Sequence, residues 1–235
     1  MKAHVEDIFT DYEVYASQIK NIYHSSFRFE TRDNWDEIYK DFLKAKEDLD
    51  PDQEFHLITA LSGDEVLGFS ISNFYSYFTY VPYLAIKDGH RRSGIGSAIC
   101  EKIIEIAKED AKRYGIKDSG IFFETEIPSL EETTNVDYKE LMSGRIEFFK
   151  ISGYVFLDIK YIKPPPKGES KNGEREMYLC YVPLSNNPKI DSEQLIKWVQ
   201  IIYEEEYELS ETQIEKYISF LKQSLHERKE ISGIW

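Results

Sequence analysis

The segment best suited to chemistry is a polar loop that contains two glycines and two arginines. Residues 87–96 follow an apolar strand and run directly into a predicted helix. A helix N-terminus gathers backbone N–H groups without helical partners, and its dipole favours anions. Gly94 and Gly96 let a phosphate approach the backbone, while Arg91 and Arg92 add positive charge. The pattern predicts a phosphate-binding loop, the alternative being an ordinary tight strand–helix turn.

Two well-known phosphate-binding patterns do not fit this loop. A P-loop closes with Gly-Lys-Ser/Thr, whereas Gly96 is followed here by Ser97. The dinucleotide-binding fingerprint needs a third Gly or Ala where this chain has Ile99. That fingerprint also lies early in a parallel βαβ unit, whereas this loop follows a predicted antiparallel meander. The sequence therefore argues against both of these patterns.

A second candidate group is a pair of carboxylates on one strand. Glu124 and Glu126 are two residues apart near the end of a predicted strand at 120–126, so they share one face of the sheet. In a half-buried slot, burial would raise the pKa of such a carboxyl and suit it to accept a proton. The alternative is a pair of solvated acids at a strand end, which Glu126 fits better.

Hydrophobic periodicity and turn signals predict the elements that position these groups. They indicate an α/β (α+β) fold, with a mixed, mostly antiparallel sheet of six to seven strands flanked by helices. Pro82 lies inside a predicted strand and cannot donate to the ladder, so we expect a bulge there. The predicted helices are 12–23, 35–48, 97–114 and 138–151, and the predicted strands are 55–61, 65–73, 78–86, 120–126, 154–162 and 177–182.

The composition changes after Ser185, which predicts a domain at 1–185 and an extension at 186–235. Apolar residues of the extension recur at helical spacing, which is typical of an amphipathic helical hairpin. We expect this hairpin to pack on the main domain as an accessory layer; the alternative is a homodimer or partner surface. The proline-rich segment 164–173 is predicted to be an exposed hairpin tip.

Charge and composition argue against several classes of function. The 235 residues include 29 Lys and Arg and 43 Asp and Glu, for a net charge of −14. That charge disfavours a nucleic-acid partner and docking on an anionic membrane. No apolar run reaches the roughly 20 residues that span a bilayer, and no signal core is present, so we expect a cytoplasmic protein. Cys100 and Cys180 are predicted to be reduced and buried, and no His or Cys spacing predicts a metal site.

One short motif resembles a known family. Arg91-x-x-Gly94-x-Gly96 follows a Tyr83–Ile86 strand and opens a long helix. In this context the motif resembles motif A of the GNAT superfamily of N-acetyltransferases, and the predicted order of elements agrees over roughly residues 12–183. The resemblance implies that 1–185 is a GNAT-like acetyltransferase domain. It also implies acetyl-CoA as the co-substrate, with no metal.

The resemblance further implies which residues hold acetyl-CoA. The pyrophosphate is expected on the backbone amides of the loop, and the pantetheine arm beside the preceding strand. A backbone N–H near Leu84–Ile86 is the expected donor to the tetrahedral oxyanion. The implied cofactor-binding residues are Leu84, Ala85, Ile86, Arg91, Arg92, Ser93, Gly94, Ile95, Gly96 and Ser97.

The catalytic groups are harder to assign. Glu124 is the candidate general base, with Glu126 or an ordered water as alternatives. Members of the family often carry a Tyr acid where this chain has Phe149, which cannot donate a proton. Tyr154 or Tyr138 is the candidate replacement, unless each is a packed aromatic ring and solvent protonates the thiolate.

The resemblance implies an N-acetyltransferase. It would move an acetyl group from acetyl-CoA to a primary amine of a small molecule or peptide, by direct transfer in a ternary complex. The alternative, suggested by the missing Tyr, is a catalytically weak module of the same fold that binds CoA or a metabolite.

Overall fold

The structure is a computed structural model that describes residues 3–29, 32–47, 53–130, 136–166, 173–185, 189–225, 228, 230–231 and 233–234. The chain divides into two compact units, Met1–Ser119 with Pro165–Asn172 and Gly120–Pro164 with Gly173–Trp235. Each unit combines antiparallel strands with helices. The predicted α/β class with mostly antiparallel strands is therefore confirmed.

The first unit is built on four antiparallel strands in the order β1-β2-β3-β4. The predicted helices and strands of this part are confirmed, with ends that differ by a few residues. The sequence analysis missed β1, because its four residues show no hydrophobic alternation, and a single 3₁₀ turn at Phe9–Asp11. The elements are β1 (His4–Asp7), α1 (Tyr12–Ser26), α2 (Trp35–Glu47), β2 (Gln53–Ser62), β3 (Glu65–Tyr75), β4 (Phe78–Ile86) and α3 (Ile95–Arg113).

The bulge expected at Pro82 is present in β4. The register between β3 and β4 shifts between Ile71 and Asn73. Two residues of β4, Val81 and Pro82, therefore lie opposite Ser72 alone. Because proline has no N–H to give to the ladder, the pairing is interrupted at this point. Regular pairing resumes immediately afterwards, along the segment that leads into the loop.

The two faces of β4 contact different helices. Tyr83 and Ala85 are buried in a core formed with α1 and α2. On the opposite face, a Cβ added to Gly68 of β3 would lie 2.8 Å from Cδ1 of Ile86 and 3.2 Å from Cδ1 of Ile99 in α3. The missing side chain at Gly68 thus allows β3, β4 and α3 to approach closely.

The second unit has the strand order β5-β8-β6-β11, and β7 also pairs with β8. The short strands β9 and β10 pair with each other. The elements are β5 (Gly120–Glu126), α4 (Val136–Ile151), β6 (Val155–Leu157), β7 (Tyr161–Lys163), β8 (Arg175–Pro183), β9 (Ile190–Asp191), α5 (Ser192–Ile201), a π-helix (Ile202–Glu206), α6 (Glu211–Leu225), β10 (Glu230–Ile231) and β11 (Gly233–Ile234).

The predicted single strand at 154–162 is wrong, because the structure has two short strands there. A turn separates β6 from β7, and in it the N–H of Ile159 donates to the carbonyl of Leu157 at 3.0 Å. β6 and β7 pair with different parts of β8. The predicted hairpin tip at 164–173 lies largely outside the described residues, which stop at 166 and resume at 173.

The two helices predicted in the extension are confirmed, and their apolar stripes are buried within the second unit. Trp198 of α5 is 3% exposed. Its ring meets Phe122 of β5 edge-on, with centroids 5.5 Å apart. Tyr203 of the π-helix stacks on Tyr161 of β7 at 5.7 Å. The extension therefore supplies part of the aromatic core of this unit.

Candidate active site

The loop between β4 and α3 presents an open stretch of backbone. Gly94 precedes α3 with φ at 85°, and no side chain caps the helix. A Cβ added to Gly94 would have no atom within 4 Å. The first N–H groups of a helix have no intrahelical partner. The residues therefore fit an anionic group held by backbone amides.

The charged side chains of the loop lie at the surface. Arg91 forms an exposed ion pair with Asp88 at 2.9 Å. Arg92 has φ at 62°, in the left-handed region, which costs a non-glycine residue roughly 1 kcal/mol. The hydroxyl of Ser93 donates to the carbonyl of His90 at 2.5 Å. These local contacts hold the loop, and both guanidinium groups remain accessible.

The strand before the loop is regular where the sequence predicts contact with the pantetheine arm. Leu84, Ala85 and Ile86 pair in order with Ser70, Phe69 and Gly68 of β3. Leu84 and Ile86 are half-buried, whereas Ala85 is buried. All ten predicted cofactor-binding residues thus belong to one strand–loop–helix segment of the first unit.

Glu124 lies in the second unit, inside a cluster of hydrogen-bond donors. Its Oε2 is 3.0 Å from Nζ of Lys163, and the two side chains are 4% and 17% exposed. The hydroxyl of Tyr207 lies 2.9 Å from each carboxylate oxygen, and the hydroxyl of Tyr161 donates to Oε1. A buried carboxylate needs such partners to remain charged. The alternative of a solvated acid is therefore wrong for Glu124.

The charge of Glu124 affects two neighbouring groups. Burial, followed by the nearby Glu124 carboxylate, raises the pKa of the Cys180 thiol well above its usual range. The same two causes, in the same order, raise the pKa of the Tyr203 hydroxyl. Both groups therefore stay protonated at neutral pH.

Glu126 has a different environment on the same strand. Its Oε1 accepts a hydrogen bond from the Tyr138 hydroxyl at 3.2 Å, and its Oε2 pairs with Arg145 of α4. Burial raises the pKa of Glu126, but Arg145 and the hydrogen bonds outweigh it, so the pKa is lowered. The alternative of a solvated strand-end acid, which Glu126 fits better on sequence grounds, is therefore wrong, because its side chain is 14% exposed and pairs with Arg145.

Comparison with known proteins relates part of the chain to a family. Residues 16–118 match the model of the acetyltransferase (GNAT) family. This part of the chain is similar to the GNAT acetyltransferase domain. The matched range contains every predicted cofactor-binding residue and ends before Glu124. The chain has no significant match among curated proteins.

Two of the solved structures that share the fold of this protein are informative. One, described as a GNAT-family acetyltransferase from Bacteroides thetaiotaomicron, has a TM-score of 0.64 and 20% identity, covering 88% of this chain and 99% of that chain. The other, described as a GNAT-family acetyltransferase from Desulfovibrio desulfuricans, has a TM-score of 0.52 and 11% identity, covering 78% of this chain and all of the other. At these identities the likeness concerns the fold alone.

The chain has an aromatic cluster around Phe149, the residue that the sequence analysis placed where a Tyr acid was expected. Phe149 of α4 is buried, with its ring centroid 3.9 Å from that of Phe123. Tyr154 is 2% exposed, and its ring meets Phe123 at 4.7 Å and Phe149 at 5.3 Å. The ring of Tyr154 is thus a packed core side chain. Of the other acid candidate, Tyr138, the hydroxyl is bonded to Glu126.

Sequence reasoning missed the partners of Glu124, which are Tyr161, Lys163 and Tyr207. Tyr207 is 83 positions away along the chain, so no local pattern links it to Glu124. The available signal was a pair of tyrosines, Tyr203 and Tyr207, at helical spacing on an apolar face. That signal predicts burial, but it does not predict the hydrogen bonds.

The described residues also bear on the expectations about membranes, metals and cysteines. No helix within those ranges combines the length and the apolar character needed to cross a membrane. The same residues contain no group of three or more His, Cys, Asp and Glu side chains that could hold a metal ion. Cys100 and Cys180 are both buried free thiols, as predicted.

Proposed function

We propose that this protein is an N-acetyltransferase that uses acetyl-CoA. It transfers the acetyl group directly to a primary amine of a small molecule or peptide, within a ternary complex. The observation that carries the proposal is the uncapped start of α3 at Gly94, inside a range that matches the GNAT family. The supporting geometry is an exposed loop with a positive-φ glycine and two accessible arginines.

The loop residues 91–97 hold the pyrophosphate. The free N–H groups at the start of α3 donate to phosphate oxygens, and the helix dipole favours the negative charge. Exposed ion pairs contribute about 0–1 kcal/mol, so Arg91 can leave Asp88 and turn to a phosphate at little cost. Acetyl-CoA supplies the activated carbonyl, and a backbone N–H of Leu84–Ile86 donates to the oxyanion.

Glu124 is the proposed general base. The attacking amine loses its N–H proton as the new C–N bond forms, and the proton moves to Glu124 directly or through a water molecule. Its burial and its three protein partners hold the carboxylate in one orientation. Lys163 keeps the charge of Glu124 compensated before the transfer.

Tyr154 is the proposed donor to the leaving thiolate, in place of the Tyr that Phe149 replaces. Its ring is held by Phe123 and Phe149, so a change to Phe removes only the hydroxyl. If Tyr154→Phe leaves the rate unchanged, solvent protonates the thiolate instead. Such a result would change the assignment of the acid and leave the acetyl transfer itself in place.

The decisive experiment compares Gly94→Asp with Gly94→Asn. Both side chains tolerate the left-handed region and have almost the same size, so they differ mainly in charge. Calorimetry should show acetyl-CoA binding at least tenfold weaker for the Asp variant than for the Asn variant, or about 1.4 kcal/mol. Equal affinities in two folded variants would show that the pyrophosphate does not bind at this loop.

A thiol-release screen over polyamines, aminoglycosides, amino acids and peptides then tests the activity. An N-acetyltransferase releases CoA at a rate that depends on the amine. Tight acetyl-CoA binding with only slow release, independent of every amine, would instead indicate the module that binds CoA without transfer.

A further inference from the structure

The extension contributes a side chain to the carboxylate that we propose as the base. Tyr207 follows the π-helix at Ile202–Glu206 and is 8% exposed. Its hydroxyl lies 2.9 Å from both Oε1 and Oε2 of Glu124. The sequence analysis assigned the extension to an accessory layer, whereas this contact places it directly on β5.

The backbone around Tyr207 has an unusual conformation. The N–H of Tyr207 donates to the carbonyl of Ile202 at 3.3 Å, which closes the wide turn of the π-helix. The next residue, Glu208, has φ at 51°. Single π turns are frequent at functional sites, and strained residues persist where the surrounding structure determines them. The wide turn changes the direction in which Tyr207 projects, compared with a continuous α-helix.

The ring of Tyr207 is held on two sides. Nζ of Lys163 lies 5.6 Å from its centroid, and the ring of Tyr203 lies 6.3 Å away. Tyr203 is itself fixed, since its hydroxyl donates to the carbonyl of Ile162 at 2.8 Å. The hydroxyl of Tyr207 is therefore aimed at Glu124 by a rigid aromatic layer.

The symmetry of the contact suits a group that gains and loses a proton. A carboxylate accepts hydrogen bonds at both oxygens, and a protonated carboxyl keeps one acceptor oxygen. Because Tyr207 reaches both oxygens, it can stay bonded to one while the other takes the proton. The hydroxyl of Tyr161 donates to Oε1, and Nζ of Lys163 lies 3.0 Å from Oε2. Tyr207 can therefore keep a hydrogen bond to Glu124 in both protonation states.

We propose that Tyr207 is a positioning residue for Glu124, which makes the C-terminal extension part of the acetyl-transfer machinery. The inference rests on the proposed role of Glu124 as the base. Tyr207 acts through Glu124, by fixing its orientation and by stabilising its charged form. Removal of its hydroxyl would then change the proton-transfer step and leave acetyl-CoA binding unaltered.

The test is Tyr207→Phe, with Tyr217→Phe as the matched control. Tyr217 is a buried tyrosine of the same extension, but its hydroxyl partner is Glu174. For Tyr207→Phe we expect kcat to fall about tenfold, with KM for acetyl-CoA within about twofold of the original value. Losing a donor to the charged form also moves the acid limb of the kcat/KM profile to higher pH. Tyr217→Phe should leave both unchanged.

The outcomes separate this inference from the proposed function. Equal kinetics and equal pH profiles for the two variants overturn the inference while acetyl transfer stands. A Glu124→Gln variant with full activity also overturns it, because the base is then elsewhere.

If no amine is acetylated by the unmodified protein, the proposed function fails, and the inference, which rests on it, is overturned as well.

Discussion

Nε2 of His56 lies 3.0 Å from Oδ2 of Asp110, so a buried ion pair joins β2 to the C-terminal end of α3. On the other side of the ring, Nδ1 lies 2.6 Å from Oδ2 of Asp7 in β1. With a carboxylate at each nitrogen, the imidazole carries two protons and a positive charge. Burial lowers the pKa of His56, but Asp110 and Asp7 outweigh burial and raise it to about 9.

This ion-paired histidine predicts that the first unit loses stability at alkaline pH. A raised pKa in the folded state contributes stability that is complete below the ordinary value of 6.5 and is lost as the pH rises through about 9. The free energy of unfolding should fall by on the order of 2–3 kcal/mol across that interval. Urea denaturation at pH 6 and pH 9.5 measures this free energy, which falls by about 1–3 kcal/mol for each molar of urea added.

The matched variant is His56→Gln, which cannot carry the charge. It should be less stable at pH 6 and show a much smaller difference between the two pH values. The pKa of Asp7 is lowered, because pairing with His56 outweighs burial. The stability that Asp7 contributes is therefore present above pH 3.8 and is lost as the pH falls below that value. If the free energy of unfolding falls equally at alkaline pH in the original protein and in His56→Gln, His56 is not the group responsible.

Glu124→Gln should lower kcat by about 10²–10⁴-fold at neutral pH, since that is the usual contribution of a positioned base. The defect should shrink as rising pH deprotonates the amine in solution. Glu126→Gln is the control, because the lowered pKa of Glu126 makes its carboxylate a poor proton acceptor. Stopped-flow thiol release across the pH range provides the rates. A larger loss of kcat in Glu126→Gln than in Glu124→Gln would show that Glu126 is the general base instead of Glu124.

The Glu124–Lys163 pair should show strong coupling in a double-mutant cycle. Each single change, Glu124→Gln or Lys163→Met, leaves a buried group without its partner and should lower stability by about 2–4 kcal/mol. The double variant should lose less than the sum of the two, with a coupling of about 1–3 kcal/mol. Chemical denaturation of the four proteins provides the values. Additive losses would mean that the two charges interact only weakly.

Gly68→Ala should perturb the segment that leads into the loop. The added Cβ would lie 2.9 Å from the carbonyl oxygen of Ala85, a backbone atom that cannot move aside alone. We expect a loss of about 1–3 kcal/mol in stability, as for other overpacked sites, together with weaker acetyl-CoA binding. The control is Gly144→Ala in α4, where the new Cβ meets no atom within 4 Å. A fully stable Gly68→Ala protein with normal affinity would refute the close approach.

Trp198→Ala should destabilise the second unit by about 3–5 kcal/mol, the usual cost of removing a large buried ring. Phe122 loses its edge-on partner, and Tyr181 loses a ring at 6.5 Å. Acetyl-CoA affinity, measured below the unfolding transition, should remain, because residues 84–97 belong to the first unit. A stable variant that no longer binds acetyl-CoA would place the extension in the cofactor site.

Long periodic patterns account for what the sequence could predict. α3 was predictable because Ile99, Ile103 and Ile106 recur on one face, and the ends of β4 are marked by a turn and a polar loop. The bulge at Pro82 follows from the chemistry of one residue. The cofactor-binding segment is local, so its predicted residues could be assigned from a single motif.

The surroundings of the catalytic candidates could not be predicted in this way. Arg145, Lys163 and Tyr207 reach β5 from separate elements, and their contacts depend on the packing of those elements. The sequence shows Glu124 and Glu126 as equivalent alternating acids, yet one pairs with a lysine and two tyrosines and the other with an arginine. Strand β1 was missed because its pairing with β2 does not depend on hydrophobic alternation.

Each of the two units contains a buried tryptophan whose fluorescence can report on unfolding. Trp35 is 6% exposed in the first unit and Trp198 is 3% exposed in the second. Indole fluorescence shifts to longer wavelength when water reaches the ring. With Trp235 replaced by Phe, a further Trp198→Phe change leaves emission from the first unit alone, and Trp35→Phe leaves emission from the second. Comparing the two unfolding curves would reveal whether both units melt in one cooperative step or in succession.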